Sequence, residues 1–549
     1  MRGGGGYSLF FHVLIYTLVC NCKKYSTLIV YFYSDTPALS YTLGTNGHGA
    51  LDHACAVCEI QGSNITKKGT VPRVWYPPYD PNSTKKPGFA QEKPKLRPTE
   101  GENFFKGKIY AKPTKDQKCQ FNYKSAAFDQ PEKKGLPKDA ATNIFYKKMK
   151  NHLRDVSTQV CRDSMHSCEL NVGRRLISQS FLGKGVTGKQ QSKANCQMFD
   201  LAEARKIHHE LTTSDVNKAV WQRGKLFSRI PREIESIIKW KATEIRVFTQ
   251  YELDIILACT SLKPPKESQD EAVAQRKRKE AEDNFATYNV IGDGKNHLRK
   301  KFLWTYIAGH AILDSPRLIK NPENIRLAAK CWAETGRLGF ELWGNDFAQM
   351  TVHHLQHLIQ QVRHHEVTLT QMGTWKFENF YRVLNHMIRS GHLGLVQFKK
   401  RWIESLDVKG KQVYSGPAPT LDTWASIGRH KEEHDGEAFK IIMEGVREEN
   451  GIVEELVQVQ HYTGGKSTIP NLFPEDPNFY LCMGQLTGKW KFKLEDQLPP
   501  TWMRRKDLMD QVNNPAKYTA ALLFIANNQA FAQPIQHKGY CDETAEDYR

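Results

Sequence analysis

The sequence predicts a mixed α/β protein, and three features indicate this class. Residues 25–35 (YSTLIVYFYSD) are rich in β-branched and aromatic side chains, which is typical of a buried strand. Apolar residues then recur at helical spacing over much of residues 139–389. The C-terminal part is mixed, with strand-like runs at 452–461 and 478–486 and a proline-free, helix-like run at 518–527.

Helices are expected wherever the apolar spacing matches one helix face. These segments are residues 139–153, 163–178, 199–211, 214–221, 232–262, 297–313, 324–338, 346–364 and 375–389. A Pro-, Lys- and Gly-rich insertion precedes them, and a charged linker without an apolar face interrupts them. The resulting segments have the boundaries 1–60, 61–138, 139–265, 266–285, 286–410 and 411–549.

Composition favours a polyanionic partner inside a reducing compartment. The net charge of +19 and pI of about 9.2 favour nucleic acid over a membrane surface. The twelve cysteines are too sparse for a disulfide scaffold. Residues 7–20 are apolar, but they lack a cleavage site of the signal-peptide kind and are too short to cross a bilayer. We therefore expect DNA as the partner and no membrane, with self-association left open.

A C-x-x-C pair suggests a metal site. Cys55 and Cys58 have the spacing with which two thiolates bind one tetrahedral zinc ion. A redox pair is the alternative, but the residues that follow are typical of a loop rather than of the helix behind a redox motif. Candidates for further zinc ligands are His48, His53, Asp163 and His166.

An aspartate follows the first clear strand. Strand ends in α/β sheets commonly present catalytic carboxylates, so Asp35 is a candidate for chemistry. A residue that merely ends the strand in a turn is the alternative interpretation.

Four blocks of residues together resemble one protein family. Residues 34–39 (SDTPAL), Gly47 and His48, and residues 55–62 (CAVCEIQG) resemble the D-x-P-A, G-H and C-x-x-C-x-I-x-G signature of CACTA (En/Spm-like) DNA transposases. Residues 163–172 (DSMHSCELNV) resemble the D-x-M-H helix of that family, and residues 240–244 (WKATE) resemble its third segment. Residues 352–363 with 377–379 (FEN) are similar to its H-L-x-x-H-L, V-R and F-E block. The blocks follow the family's order between Tyr25 and Trp402.

This resemblance implies an RNase H-like nuclease core with a zinc-binding insertion. Such cores hold two Mg²⁺ or Mn²⁺ ions with three acids, of which Asp35 matches the second. Glu378 is the first choice for the third acid, and Glu244 is the alternative. The resemblance also implies structural zinc bound by Cys55, Cys58 and His166, with Asp163 as a weaker fourth ligand.

The sequence departs from the family before Asp35. Residues 1–34 contain no Asp and no Glu, so nothing there supplies the first metal-binding acid. The expectation is an N-terminally truncated, catalytically incomplete, transposon-derived DNA-binding protein in the nucleus. The alternative is a non-enzymatic, zinc-stabilised module that binds nucleic acid or protein.

Basic and histidine-rich segments complete the expectations. Lys399, Lys400, Arg401 and Trp402 are candidate DNA contacts, as are residues 490–493 and 502–506, although ordinary surface packing explains them nearly as well. Residues 276–279 (RKRK) fit a nuclear-import cluster or a solvated face. The histidines between 353 and 365 are expected to be core or surface residues of an amphipathic helix rather than metal ligands.

Overall fold

The computed structural model describes the elements of two compact units. The described residues are 12–18, 26–34, 63–65, 73–75, 160–183, 199–222, 230–260, 294–343, 347, 349–374, 422–427, 436–474 and 483–535. The first unit combines Met1–Val172 with Ile312–Trp375, and the second combines Gly173–Ala311 with Lys376–Arg549. Helices and antiparallel strands both occur, which confirms a mixed class of fold.

The first unit contains a three-stranded sheet in the order β1-β2-β5. Strand β1 (His12–Leu18) is antiparallel to β2 (Ser26–Ser34), and β2 is parallel to β5 (Val160–Arg162). A separate hairpin pairs β3 (Ser63–Ile65) with β4 (Arg73–Trp75). The strand expected at residues 25–35 is therefore confirmed as β2.

Two long helices complete the first unit after residue 312. They are named α7 (Pro322–Trp343) and α8 (Met350–His365). Helix α7 begins in the ordinary way, because the Asn321 side chain accepts the backbone N–H of Glu323 at 3.0 Å and Pro322 needs no partner there. Gly339 of α7 faces the ring of Phe347 so closely that a Cβ would lie 2.2 Å from it. Phe347, which precedes α8, can lie against α7 only because Gly339 has no side chain.

The second unit begins with helices that surround an aromatic core. The α-helices described there are α1 (Arg174–Ile177), α2 (Leu201–Thr213), α3 (Asp215–Gln222), α4 (Ala242–Val247), α5 (Leu253–Cys259) and α6 (Gly294–Leu313). Helix α6 continues to residue 313, beyond the boundary of the unit. Tighter or wider helical turns fill Ser178–Leu182, Ile234–Lys239 and Phe248–Glu252 of this unit. Similar turns at Met165–Gly173 and Leu318–Lys320 lie in the first unit, apart from Gly173. Phe181 stacks on Phe199 with ring centroids 4.6 Å apart.

A ring of antiparallel strands forms the C-terminal part of the second unit. Its members are β6 (Thr423–Ser426), β7 (Gly436–Glu449), β8 (Ile452–Ser467), β9 (Trp490–Lys493), β11 (Tyr518–Ala526) and β12 (Gln529–Pro534). The pairings run β8-β7-β6-β11-β12-β9 and return to β8, so the sheet closes on itself. Strand β10 (Thr501–Arg504) adds to the outside of β8, and the short helices α9 (Met483–Thr487) and α10 (Arg505–Val512) flank the ring.

Large aromatic side chains fill the interior of this ring, so small residues lie opposite them. Trp490, Phe492 and Tyr462 are buried there beside alanines on facing strands. A Cβ on Gly436 would lie 2.1 Å from the ring of Trp490, so the large aromatic residue requires a glycine opposite it.

Three expectations for this region need correction. The run expected as a helix at residues 518–527 is strand β11, and residues 483–487 are helix α9 rather than strand. Trp490 is buried inside the ring, so it cannot stack on a nucleic-acid base.

Candidate functional site

The candidate site lies where β5 ends. Strand β5 pairs in parallel with β2, and Ser34 is the register partner of Arg162. Each of these residues is followed directly in the sequence by an aspartate, Asp35 after β2 and Asp163 after β5. The carboxyl ends of neighbouring parallel strands share one sheet edge. The D-x-P-A and D-x-M-H motifs therefore begin at adjacent strand ends, although Asp35 itself lies outside the described residues.

The Asp163 carboxylate is buried and accepts four hydrogen bonds. Its Oδ1 accepts the backbone N–H of Met165 at 3.0 Å and that of Thr374 at 2.9 Å. Its Oδ2 accepts the Thr374 hydroxyl at 2.7 Å and contacts Nδ1 of His166. Four acceptor positions are all that a carboxylate offers. This arrangement favours a supporting role for Asp163 over the metal-ligand role predicted from the sequence.

These contacts also determine the charge of Asp163. Burial alone would raise the pKa of this carboxyl, but the hydrogen bond and positive charge of His166, together with the donors of Thr374, lower it below the ordinary value. Asp163 is therefore ionised at neutral pH. An ionised carboxylate behind an imidazole attracts the imidazole proton to the nearer nitrogen.

His166 is the accessible member of the pair. Its side chain is 28% exposed, whereas the carboxylate of Asp163 is fully buried. When Nδ1 donates to Asp163, the neutral ring carries its lone pair on Nε2, the form in which histidine binds metals. The Asn171 side chain donates to the carbonyl oxygen of His166 at 2.5 Å and thereby holds the start of the D-x-M-H helical segment.

Helix α8 and the segment that follows it both hydrogen-bond to the end of β5. The Gln361 side chain of α8 accepts the backbone N–H of Arg162 at 3.0 Å. The backbone N–H of Ser164 donates to the carbonyl of Met372 at 3.3 Å, and the Ser164 hydroxyl donates to the carbonyl of Leu369. The helix identified from the H-L-x-x-H-L block thus contacts the strand that leads into D-x-M-H.

Thr374 is the site residue that sequence reasoning missed. It supplies two of the four donors to Asp163 across 211 positions of sequence. Nothing in its local sequence distinguishes it from an ordinary loop threonine, so only the folded arrangement identifies it.

Cys161, one residue before Arg162, does not extend the site to a reactive thiol. Its Sγ lies 3.4 Å from Nε2 of His365, but the residue is fully buried. Burial raises the pKa of this thiol far above its ordinary value, so it stays protonated at neutral pH. A protonated, buried cysteine acts as a small apolar residue here.

Three of the five histidines of α8 lie in the core, whereas His364 is exposed and His365 is partly buried. His353, His354 and His357 are all at most 4% exposed. Nε2 of His353 lies 3.0 Å from Nε2 of His357, and Nδ1 of His357 lies 3.1 Å from the Gln360 side-chain oxygen. Within the described ranges, no group of three or more His, Cys, Asp or Glu side chains gathers as a metal site.

Glu244, the alternative third acid, forms hydrogen bonds with other residues of the second unit. It is 1% exposed, and its carboxylate accepts Nε and an Nη of Arg232 at 2.6 and 2.9 Å. It also accepts the backbone N–H of Lys241 at 2.8 Å, which caps the first turn of α4. These contacts explain its burial without a metal ion.

The other predicted site residues lie outside the described residues. They are Asp35, His48, His53, Cys55, Cys58, Glu378, Lys399, Lys400, Arg401 and Trp402. Their roles stay predictions.

No protein-family model, curated protein or solved structure matches this chain. None of the helices in the described part of the chain combines the length and hydrophobicity needed to span a bilayer.

Proposed function

We propose that this chain is a transposon-derived, nuclear DNA-binding protein related to CACTA transposases. The observation that carries the proposal is the register of β2 and β5, with Ser34 opposite Arg162. Two motifs identified only by their sequence, D-x-P-A and D-x-M-H, begin at those neighbouring strand ends. Motifs that belong to one site are expected to meet in this way, whereas chance matches are not.

We infer that structural zinc is part of this site. Cys55 and Cys58 would supply thiolates, and His166 would supply an imidazole nitrogen whose tautomer Asp163 fixes. When bound, zinc joins distant chain segments and so contributes directly to folding. Asp163 keeps its four protein hydrogen bonds and orients the imidazole.

The net charge of +19 is the basis for DNA as the partner. Cationic side chains displace the counterions condensed on the phosphate backbone, so such binding weakens steeply as salt rises. The test is fluorescence anisotropy of a labelled duplex with the full chain at several salt concentrations. We expect the affinity to fall at least about tenfold between roughly 50 and 200 mM salt. Binding that is absent at low salt would refute the proposal.

A non-enzymatic zinc-stabilised module is the second candidate, and one observation favours it. The carboxylate of Glu244, the alternative third acid, is occupied by protein donors, which leaves Glu378 as the candidate to join Asp35 in binding any catalytic Mg²⁺ or Mn²⁺. Incubation of the full chain with supercoiled plasmid and either ion separates the candidates. Nicking that Asp35→Asn and Glu378→Gln both abolish favours a nuclease, and DNA binding without nicking favours the module.

A further inference from the structure

We propose that the outer half of the β7–β8 hairpin binds an extended, lysine- and arginine-rich segment of another protein as an added β-strand. This half comprises residues 443–456 and is named the arm. It turns at Asn450 and Gly451, whose φ angles are 55° and 76°. An Asn-Gly pair with positive φ angles closes a tight two-residue hairpin, so the arm is a regular two-stranded structure. The inference goes beyond DNA binding and does not depend on it.

One edge of the arm is open among the described strands. Strand β6 pairs with β7 only at residues 438–440, whereas β7 continues to Glu449. Over residues 443–449 the register between β7 and β8 is regular, and no other described strand pairs with β7 there. An edge of this kind can accept a strand from another chain.

The turn determines which backbone groups face the open edge. In a two-residue hairpin the residues on either side of the turn, here Glu449 and Ile452, form a hydrogen-bonded pair. Hydrogen-bonded and non-hydrogen-bonded pairs alternate along an antiparallel ladder. Glu444, Val446 and Glu448 therefore belong to non-hydrogen-bonded pairs, and their N–H and C=O groups point away from β8. These are the groups with which an added strand pairs.

The side chains of these three residues favour a basic strand. They share one face of β7 at every second position, in the order Glu444, Val446 and Glu448. Glu444 pairs with Arg505 at 2.8 Å through a solvent-exposed contact, and Glu448 forms no ion pair with a described residue. Exposed ion pairs exchange partners at little cost. The complement is therefore a strand with a basic residue beside each glutamate and an apolar residue between them.

The arm is acidic within a basic chain. It carries five glutamates against one arginine, a net charge of −4 in a chain of +19. The flanking residues 504–512 add three cations and two carboxylates, so the whole region keeps a net charge of −3. Such a surface repels the phosphates of nucleic acid and attracts a basic polypeptide.

Exposed apolar side chains accompany the acids on both faces of the arm. Val446 and Val453 lie on the face of Glu448 and are 68 and 63% exposed. On the other face, the Trp502 ring of β10 reaches across β8 to Gly445, where a Cβ would lie 3.1 Å from the indole. Trp502 is 49% exposed. The valines can pack against the aliphatic stems of bound lysine and arginine, and the indole can bind their charged ends.

The same row of glutamates disfavours a second copy of this chain on the edge. In a twofold antiparallel pairing centred on Val446, Glu444 of each copy would face Glu448 of the other. Like charges directly opposite each other destabilise a pair of strands. A basic segment of a different protein is therefore the occupant that this edge fits.

The test is fluorescence anisotropy of labelled peptides titrated with the full chain. The probe Lys-Thr-Val-Thr-Lys-Thr-Val-Thr-Lys places lysine and valine alternately on one face of a strand, and its control has glutamate in place of lysine. We expect saturable binding of the lysine peptide alone. Absence of saturable binding up to about 100 µM chain, or equal binding of the two peptides, would overturn the proposal.

Two paired charge variants locate the site. Glu444→Lys with Glu448→Lys should weaken binding of the lysine peptide at least about tenfold and allow the glutamate peptide to bind, because the charges of the edge are reversed. The control is Glu495→Lys with Asp496→Lys, which makes the same change of charge at exposed residues outside the arm and should leave binding unchanged. Equal affinities of the two variants, with both chains folded by circular dichroism, would refute docking on the arm.

Methylation of the peptide nitrogens separates strand addition from simple charge attraction. In an added strand, the N–H groups of alternate residues face the arm and those of the others face solvent. N-methylation of one alternate set should abolish binding, and methylation of the other set should largely preserve it. Equal binding of the two methylated peptides would contradict strand addition. A chain dimer in sedimentation velocity that is lost in Glu444→Lys with Glu448→Lys would identify a second copy as the occupant and overturn the proposal.

Discussion

Replacing Asp163 with asparagine tests how the buried carboxylate prepares His166. Asparagine keeps the shape of the side chain, and its amide oxygen can still accept the backbone N–H groups of Met165 and Thr374. Its amide nitrogen then faces Nδ1 of His166 and donates to it. The imidazole proton moves to Nε2, and a protonated Nε2 has no lone pair for zinc.

The expected magnitude follows from the loss of one supporting partner. Removing the group behind a metal-binding histidine lowers metal affinity by about 10–100-fold, which corresponds to about 1.4–2.8 kcal/mol. Competition with a chromophoric chelator measures the zinc affinity of the purified variant. Asp215→Asn is the matched control, because the Asp215 side chain is fully exposed on α3 and its ion pair among the described residues is with Lys218, at 3.6 Å.

Two results decide the interpretation of Asp163→Asn. A zinc affinity equal to that of the wild type, in a variant that melts at the wild-type temperature, would refute the role of Asp163 in selecting the tautomer. A loss of affinity shared by Asp215→Asn would show a general effect of charge instead. We expect the loss in Asp163→Asn alone.

Three further predictions concern the second unit. Burial lowers the pKa of His208, but the charge and hydrogen bond of Glu252, at 2.7 Å, outweigh it and raise the pKa above 6.5. A raised folded-state pKa stabilises the fold below pH 6.5, so the stability advantage of the wild type over His208→Gln should shrink as the pH rises above this value in urea titrations. Lys489→Met leaves the buried Asp254 without its cation and should cost about 3–5 kcal/mol in the same titrations. The double variant with Asp254→Leu should recover part of that loss, because it removes the unpaired charge but also takes an acceptor from Thr468 and Gln533. Gly436→Ala places a methyl group against the ring of Trp490. It should lower the free energy of unfolding by about 1–3 kcal/mol, measured in thermal melts.

Each of these predictions has a contradicting result. If the loss of unfolding free energy in His208→Gln is constant between about pH 6 and 9, the ion pair with Glu252 does not contribute to the stability of the fold. A double variant no more stable than Lys489→Met alone would mean that the unpaired carboxylate is not the source of the loss. An unchanged melting temperature for Gly436→Ala would require the tryptophan ring to move freely.

Local sequence patterns predict strand β2 and several of the described helices. The aromatic and β-branched run at residues 25–35 is strand β2, and the periodicity at 199–211 is helix α2, shifted by two residues. In both cases one face or one run of apolar side chains dominates the segment. The continuous helix expected at 232–262 is broken instead, because residues 240 and 241 adopt extended backbone before α4 begins.

The strand β11 shows where local patterns mislead. Its sequence, YTAALLFIA, is rich in alanine and leucine and carries no proline, which favours helix in isolation. The folded segment instead pairs with β6 and β12 through two edges. The Asn527 and Asn528 turn, with φ angles of 48° and 56°, was the available signal for a hairpin.

Half of the candidate site follows from the sequence and half does not. The D-x-M-H spacing predicts that Asp163 and His166 meet across one helical turn, and their side chains do contact each other. The donors of Thr374 come from a segment 211 residues away. Outside the site, in the second unit, the buried Lys489 likewise occupies a sequence context that resembles a basic surface cluster. Long-range packing decides both, and no local pattern records it.

X-ray absorption at the zinc edge of the purified full chain tests the proposed centre most directly. We expect about one zinc ion per chain, with two sulfur ligands at about 2.3 Å and at least one imidazole nitrogen at about 2.0–2.1 Å. In His166→Ala the imidazole signal should decrease, and in the exposed control His209→Ala it should persist. Protein that folds without stoichiometric zinc, or zinc whose ligands do not change in His166→Ala, would contradict a metal centre at the end of β5.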